Sequence, residues 1–301
     1  MVSTNLAWLY AITKYGYPPP MEYVYKVVDD AVRLGFSNIE LEFVGFDNLK
    51  EFEEHRNSLK RYLADRGVNV INVAAIFRDL ISMDSSIREK ALEYFRKACE
   101  LAIHFNSSLI QTDTFTPPIK FVGASPYSRA IIFGERYRVE IPEGFSWRSF
   151  WSTLVDTMKR CSRIAGECNL KFVIEPRIGE TISNSDAMLR LIDDVDEDNF
   201  GAVLDTGHLH AAKELIPLSI EKLGSRILYV HVSDNDGRDN FHWAPGKGTI
   251  DWDAVFVGLK KHGFRGYIAI DVGGQDIRDR LDEEVILAKH FIEEKIRQYN
   301  L

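Results

Sequence analysis

The sequence predicts an α/β fold, a single (β/α)8 TIM barrel with a long insertion after the fourth strand. Two observations carry that prediction. First, apolar strand-like runs and helical patterns alternate eight times along 301 residues, the rhythm of a parallel sheet wrapped by helices. Second, four of the apolar runs end on a metal-binding side chain: Phe172-Val-Ile-Glu175, Ala202-Val-Leu-Asp205, Leu228-Tyr-Val-His231 and Ile268-Ala-Ile-Asp271. These endings recur about every 25–40 residues, and in a βα barrel all strand C-termini open on the face that carries the active site. Three carboxylates and one imidazole converging there would hold a divalent cation. The arrangement points to metal-assisted chemistry on a small oxygen-rich substrate, a sugar or polyol.

The strands are read, in order, at Leu6–Ile12, Asn38–Phe43, Asn69–Ala74, Ser108–Thr112, Lys171–Glu175, Gly201–Asp205, Ile227–Val232 and Tyr267–Asp271. The first is the weakest pattern, with aromatics and a lysine close by. Helical periodicity fills the gaps at Glu22–Leu34, Leu49–Arg66, Ser85–His104, Trp147–Cys168, Asp186–Asp194, Ala211–Leu223, Trp252–His262 and Asp279–Gln298. Gly35, Gly67, Gly224 and Gly263 each follow a helical pattern by a residue or two, where glycine stops a helix. Residues 1–301 are read as one domain. Asp113 to Phe145 interrupts the rhythm with a stretch rich in Pro, Gly, aromatics and Arg. A loop that long begins on the active-site face and reads as a lid or as a subunit contact in a homo-oligomer; an ordered insertion without a catalytic role is the plainer alternative.

Composition narrows the function classes. The chain is 45% hydrophobic, enough for a large core, and its formal net charge is -8 with no dense Lys/Arg run, which disfavours nucleic acid as a partner. No stretch of about twenty apolar residues exists, so neither a membrane span nor a signal peptide is read. Cys99, Cys161 and Cys168 all fall in helical patterns without a CxxC. The last two lie roughly 10 Å apart by helix rise, beyond disulfide reach. Structural thiols in a reducing cytoplasm are therefore expected.

The richest segment is Leu204-Asp205-Thr-Gly-His208: an apolar run, a carboxylate, a glycine turn and an imidazole. Asp205 has a duller use as a helix N-cap. His231 ends the next strand, with Asp234 near enough in sequence to orient it or a neighbouring ligand. The following stretch runs from Asn235 through Arg238, Asn240, His242 and Trp243 to Pro245-Gly-Lys-Gly248, a loop able to wrap a small ligand. Glu40 and Glu42 alternate with Ile39 and Leu41 on the second strand; one of them either binds substrate hydroxyls at the mouth or forms a structural ion pair. Trp8, Tyr10, Phe77, Phe115 and Trp243 are aromatics near the mouth, of which Trp243 is the candidate to stack on a sugar face.

The order Glu175, Asp205-Thr-Gly-His208, His231-Val-Ser-Asp234, Pro245-Gly-Lys-Gly248 and a final strand acid resembles the xylose-isomerase-like barrel superfamily of sugar isomerases, ketose 3-epimerases, inosose dehydratases and endonuclease IV. The likeness covers most of the chain and is clearest from about residue 170 to 275. It implies one metal bound by Glu175, Asp205, His231 and Asp271, with His208 on a substrate oxygen and Arg238 or His242 near the same oxygens. Two departures stand out. Similar epimerases carry Glu where this chain has Asp271, one methylene shorter, which puts a two-base epimerisation in question. The extra histidines of the endonuclease relatives are missing, since the third and fourth strands read Val73-Ala-Ala75 and Gln111-Thr-Asp113.

The expected function is a divalent-metal-dependent sugar isomerase or epimerase that abstracts a proton next to a carbonyl through a metal-stabilised enediolate. Glu175, with the longer arm, is the expected base, and Asp271 and His208 complete the expected catalytic group. The carboxylate-rich ligand set favours Mn²⁺, with Mg²⁺, Co²⁺ and Zn²⁺ as alternatives. An inosose-type dehydratase on the same site is the alternative reaction; a non-catalytic carbohydrate-binding barrel and an endonuclease-type phosphodiesterase stand further off.

Overall fold

Short runs of β-branched and aromatic residues, covered on both faces, form the eight parallel strands of a closed barrel. The computed structural model describes residues 2–123 and 137–301. The barrel strands are β1 (Ser3–Leu6), β2 (Asn38–Val44), β3 (Asn69–Ile76), β4 (Leu109–Thr112), β5 (Lys171–Ile174), β6 (Phe200–Asp205), β7 (Ile227–Val232) and β8 (Tyr267–Ile270). Each pairs with its sequence neighbours, and β1 closes the ring by pairing Leu6 with Ile39 of β2 on one side and with Ile270 of β8 on the other.

Helices cover the outside. Met21–Arg33, Gly45–Asp65, Ser85–His104, Trp147–Glu167, Ser185–Val195, Trp252–Lys261 and Leu281–Tyr299 agree with the periodicity to within a few residues at most ends. Asp84, Ser146, Asn184 and Asp251 cap four of them with side-chain oxygens that accept a backbone N–H two or three residues on. Among the described residues, no helix is long and apolar enough to cross a membrane.

Three expectations need correcting or qualifying. The first strand is Ser3–Leu6, and of the run Leu6–Ile12 read as strand, the part from Leu9 onward belongs to a helix, Leu9–Tyr15. Leu9 and Ile12, three apart, both turn onto the barrel mouth, a helical and not a strand spacing. The helix expected over Ala211–Leu223 is two, Thr206–Ala211 and Ile216–Leu223; Lys213 takes a left-handed φ of 66° between them and Pro217 restarts the chain. The 113–145 segment carries a two-stranded antiparallel ribbon, Lys120–Val122 with Arg138–Glu140, while residues 124–136 lie outside the described residues.

The barrel interior is layered. Leu109, Val173, Val203, Tyr229 and Ala269 point inward from β4 to β8 and share one apolar cluster with Ala7 and Ile71. Two residues further along the same five strands come Gln111, Glu175, Asp205, His231 and Asp271. Side chains two apart share a face, so an apolar floor dictates a polar ring directly above it.

The β6–β7 seam is closely packed at Gly201, two residues before Val203. A Cβ on Gly201 would lie 2.5 Å from the Arg226 carbonyl oxygen and 2.6 Å from the Leu228 side chain, next to a register shift between Ala202 and Val203. Gly201→Ala should therefore destabilise by about 1–3 kcal/mol, the usual cost of overpacking. A melting temperature several degrees below that of the parent chain is the expected result; an unchanged melt would mean that the seam can open at little cost.

Candidate metal centre

Four strand ends deliver the central group. Glu175, the first residue past β5, is buried; its Oε2 accepts a hydrogen bond from Gln111 Nε2 at 3.0 Å, and its Oε1 lies 3.7 Å from His208 Nε2. Asp205 ends β6 with no solvent exposure. Its two oxygens divide the work: Oδ1 accepts the His208 backbone N–H at 2.7 Å and caps the short helix, while Oδ2 has no hydrogen-bond partner. The N-cap reading and the ligand reading thus describe different atoms of one carboxylate. His231 on β7 turns Nδ1 to the centre, 3.7 Å from Glu175 Oε2, 3.9 Å from Asp205 Oδ2 and 4.0 Å from Asp271 Oδ2. Asp271, the first residue past β8, also meets His242, whose Nδ1 is 3.0 Å from Asp271 Oδ2 and 3.1 Å from its carbonyl oxygen.

Two overlapping triads, Glu175–Asp205–His208 and Asp205–His231–Asp271, each offer ligand atoms within 4.8 Å of one another. Ligand atoms of one cation sit at such mutual distances. The donor set also suits a cation. Isolated buried carboxylates are expensive, and here three share one pocket with an orphaned oxygen on Asp205.

The titration behaviour carries the same message. Burial pushes Glu175 well above the ordinary carboxylate range, against the pull of His231 and Arg177. Burial and then the Asp271 charge raise Asp205. Burial would also raise Asp271, but His242 and His231 outweigh it and hold the group low. Burial opposes charge on His231, yet Glu40 and then Glu175 lift it well above the usual imidazole value. His208 sinks well below that value, through burial and the positive neighbours Arg177, His242 and His231.

Not every expected residue joins the group. His208 and His242 do, with ring centroids 5.5 Å apart. Arg238 does not: it is exposed on a turn, where its backbone N–H donates to Asp236. Trp243 stacks on Phe241 at 4.8 Å and donates its indole N–H to Asp276, away from the centre. Asp234 does not touch His231. Its carboxylate instead gathers the backbone N–H groups of Asn235, Gly246 and Ile250 and the Trp252 indole, and so shapes the 235–252 loop. The residue that does meet His231 is Glu40, with Oε1 at 3.0 Å from Nε2.

Sequence reasoning also missed Gln111, Asp113 and Arg177 as parts of this pocket. Arg177 pairs with Asp113 at 2.5 Å. The signal was available for Gln111, which stands two residues past an apolar strand position like the ligands themselves. The inner cavity, about 100 Å³, opens onto an outer chamber of about 350 Å³. Leu9, Ile12, Glu42, Ile76, Asp113 and Arg177 line both, and Phe115 lines the outer one.

Residues 28–290 match the family model of the xylose isomerase-like TIM barrel. The chain belongs to this family. An uncharacterized protein of Methanocaldococcus jannaschii is 27% identical to this member over 250 residues, 78% of the chain and 75% of the relative. An inosose dehydratase of Clostridium beijerinckii is 24% identical over 162 residues, 48% of the chain and 54% of that enzyme; the match thus spans about half the length of this relative. Among solved structures, D-psicose 3-epimerase from Clostridium cellulolyticum H10, crystallised with D-tagatose, superposes with a TM-score of 0.75 at 18% identity, covering 98% of this chain and 99% of the epimerase. The IOLI protein with a bound zinc atom gives 0.71 at 18% identity over 99% of both chains. At these identities the solved structures speak for the xylose isomerase-like fold and leave the reaction to the site.

One group at the junction of the two chambers generates a pH prediction. Burial, then the Asp113 charge, push Glu42 from 4.5 up to about 8. Between those values the folded chain holds a proton that the unfolded chain has lost, so this contribution to stability is complete below pH 4.5 and disappears as pH rises through 8. Melts of the metal-free protein across this window should show a decline that Glu42→Gln makes shallower. Equal slopes for the two proteins would remove Glu42 as its source.

Proposed function

We propose that this chain is a divalent-metal-dependent enzyme that isomerises or epimerises a small sugar or polyol by moving a proton at the carbon next to a carbonyl. The observation that carries this reading is the pair of overlapping triads, Glu175–Asp205–His208 and Asp205–His231–Asp271, which share Asp205, with its Oδ2 otherwise unpartnered. The 3-epimerase and inosose dehydratase likenesses support a sugar-type substrate.

Glu175, Asp205, His231 and Asp271 would hold the cation. When bound, a divalent ion supplies Lewis-acid polarisation of the substrate carbonyl, which makes the neighbouring C–H acidic. Mn²⁺ is the ion we favour, for a set with three hard carboxylates and one imidazole, and the zinc of the IOLI structure keeps Zn²⁺ in the comparison.

The rest of the reaction belongs to the side chains. Glu175 is the base: a cation in the site would offset the burial that raises its pKa and favour the ionised form, while Oε2 is steadied by Gln111 and Oε1 lies 3.7 Å from His208 Nε2. His208, buried and kept neutral by its positive neighbours, donates or accepts one hydrogen bond at a substrate oxygen without adding charge. The apolar walls from Leu9, Ile12 and Ile76 keep water from competing for the proton. Asp271, shorter than a glutamate and engaged with His242, serves here as a ligand and as the partner of that imidazole.

The Asp271–His242 pair favours a second reading. An imidazole braced by a carboxylate across the pocket from Glu175 is a proton donor for a leaving hydroxyl, as dehydration of an inosose-type substrate requires. The two readings differ in product.

Purified chain should carry or take up about one divalent ion, and a panel of ketoses and inososes assayed with and without chelator should show turnover only with metal. Glu175→Gln should lower kcat roughly a hundred- to ten-thousand-fold, as loss of a general base does. Asp205→Asn should abolish turnover while the circular dichroism spectrum stays that of the parent. Retained turnover in Asp205→Asn, or full activity after chelation, would contradict the assignment.

A further inference from the structure

We infer that Glu40 is the positioning residue of the metal centre: it holds the His231 ring with Nε2 protonated, so that Nδ1 presents its lone pair to the cation. This rests on the proposed metal site and concerns a residue outside the ligand set.

The argument lies in what surrounds the Glu40 carboxylate. Glu40 is 4% exposed, on β2, on the opposite side of His231 from the three ligand carboxylates. Oε1 lies 2.6 Å from the Tyr229 hydroxyl, 3.0 Å from His231 Nε2 and 3.2 Å from Asn72 Nδ2, and Oε2 accepts the Trp8 backbone N–H at 2.9 Å. Trp8 N–H and Asn72 Nδ2 can only donate. Tyr229 donates its hydroxyl proton to Glu40 while its oxygen accepts from Asn5 Nδ2 at 2.6 Å. Among these neighbours only His231 Nε2 could take a carboxyl proton from Glu40, and three other donors already point at the carboxylate. That donor shell favours the ionised carboxylate, so the proton of the shared bond sits on His231 Nε2. One imidazole nitrogen is fixed as donor, and the other, Nδ1, faces Glu175, Asp205 and Asp271.

The same network reaches the base. Asn72 Nδ2 is also 2.8 Å from Gln111 Oε1, and Gln111 passes its own N–H to Glu175 Oε2. A chain of side chains from β2 through β3 and β4 to β5 thus sets the orientation of ligands on two sides of the barrel. A buried ion pair serving stability alone would need the donor shell as well, but not the link to Glu175. A carboxylate behind a ligating histidine strengthens the ligand and fixes its tautomer, and its loss typically weakens metal binding about 10–100-fold.

The test compares Mn²⁺ and Zn²⁺ affinity of the purified chain, Glu40→Gln and Glu284→Gln by calorimetry, with folding checked by melting. Glu284 is a buried carboxylate paired with Lys247 and lines neither chamber. The expected result is tight binding to the parent, about 10–100-fold weaker binding to Glu40→Gln, and parent-like binding to Glu284→Gln. Failure of the parent to bind either ion would sink the metal site itself. Equal affinity of the parent and Glu40→Gln, with the parent binding, would overturn the role of Glu40 alone. Should Glu40→Gln not fold, nitrogen NMR of the histidines in the Zn²⁺-loaded parent decides: Nε2 protonated and Nδ1 on the metal supports the inference, and the reverse tautomer overturns it.

Discussion

Three carboxylates buried within a few ångströms of one another are the constraint around which the open end of this barrel is arranged. Like charges at such distances repel strongly in a dry pocket. Every neighbouring group answers that repulsion in part. Gln111 donates to Glu175, the His208 backbone donates to Asp205, and His242 meets Asp271. None of these gives the orphaned oxygen of Asp205 a partner; a cation there would.

The barrel makes this concentration of charge affordable. Beneath the polar ring lies a tightly filled apolar floor, from Leu109 on β4 to Ala269 on β8, so the charged layer is confined to one end. Outside, strands and helices share a continuous apolar layer. The candidate ligands stand at strand ends, a placement that gives side chains more positional precision than a loop does.

Much of this was legible because two periodicities do the work. Apolar runs that end on Glu175, Asp205, His231 and Asp271 reveal both the parallel sheet and the ring at its mouth. The helix from Ser85 to His104 was readable to the residue, since an Asp84 cap and a regular apolar stripe mark its start and course. What escaped sequence reading was contact between distant segments. Asp234 is three residues from His231 in the chain, but β7 ends between them and the chain turns away. Glu40 is 191 residues distant and touches it. Arg238 and Trp243 lie in a stretch rich in chemical groups, yet backbone turns and Asp276 direct them elsewhere. The first strand was misplaced because Leu6 to Ile12 is apolar in either conformation; only pairing with β8 shows where the sheet stops.

Glu180 gives the insertion after β4 an anchor independent of its own length. Its Oε2 accepts from the backbone N–H groups of Thr114 and Phe115 and from the Thr114 hydroxyl, and the Phe115 carbonyl in turn receives the Thr181 N–H and hydroxyl. Arg177 grips Asp113 from the same turn. The wall that Asp113 and Phe115 contribute to the chambers is therefore tied to the segment after β5. For an engineer, the clasp marks Glu180 and Arg177 as residues to leave in place when the pocket is recut, because they carry the backbone of its wall.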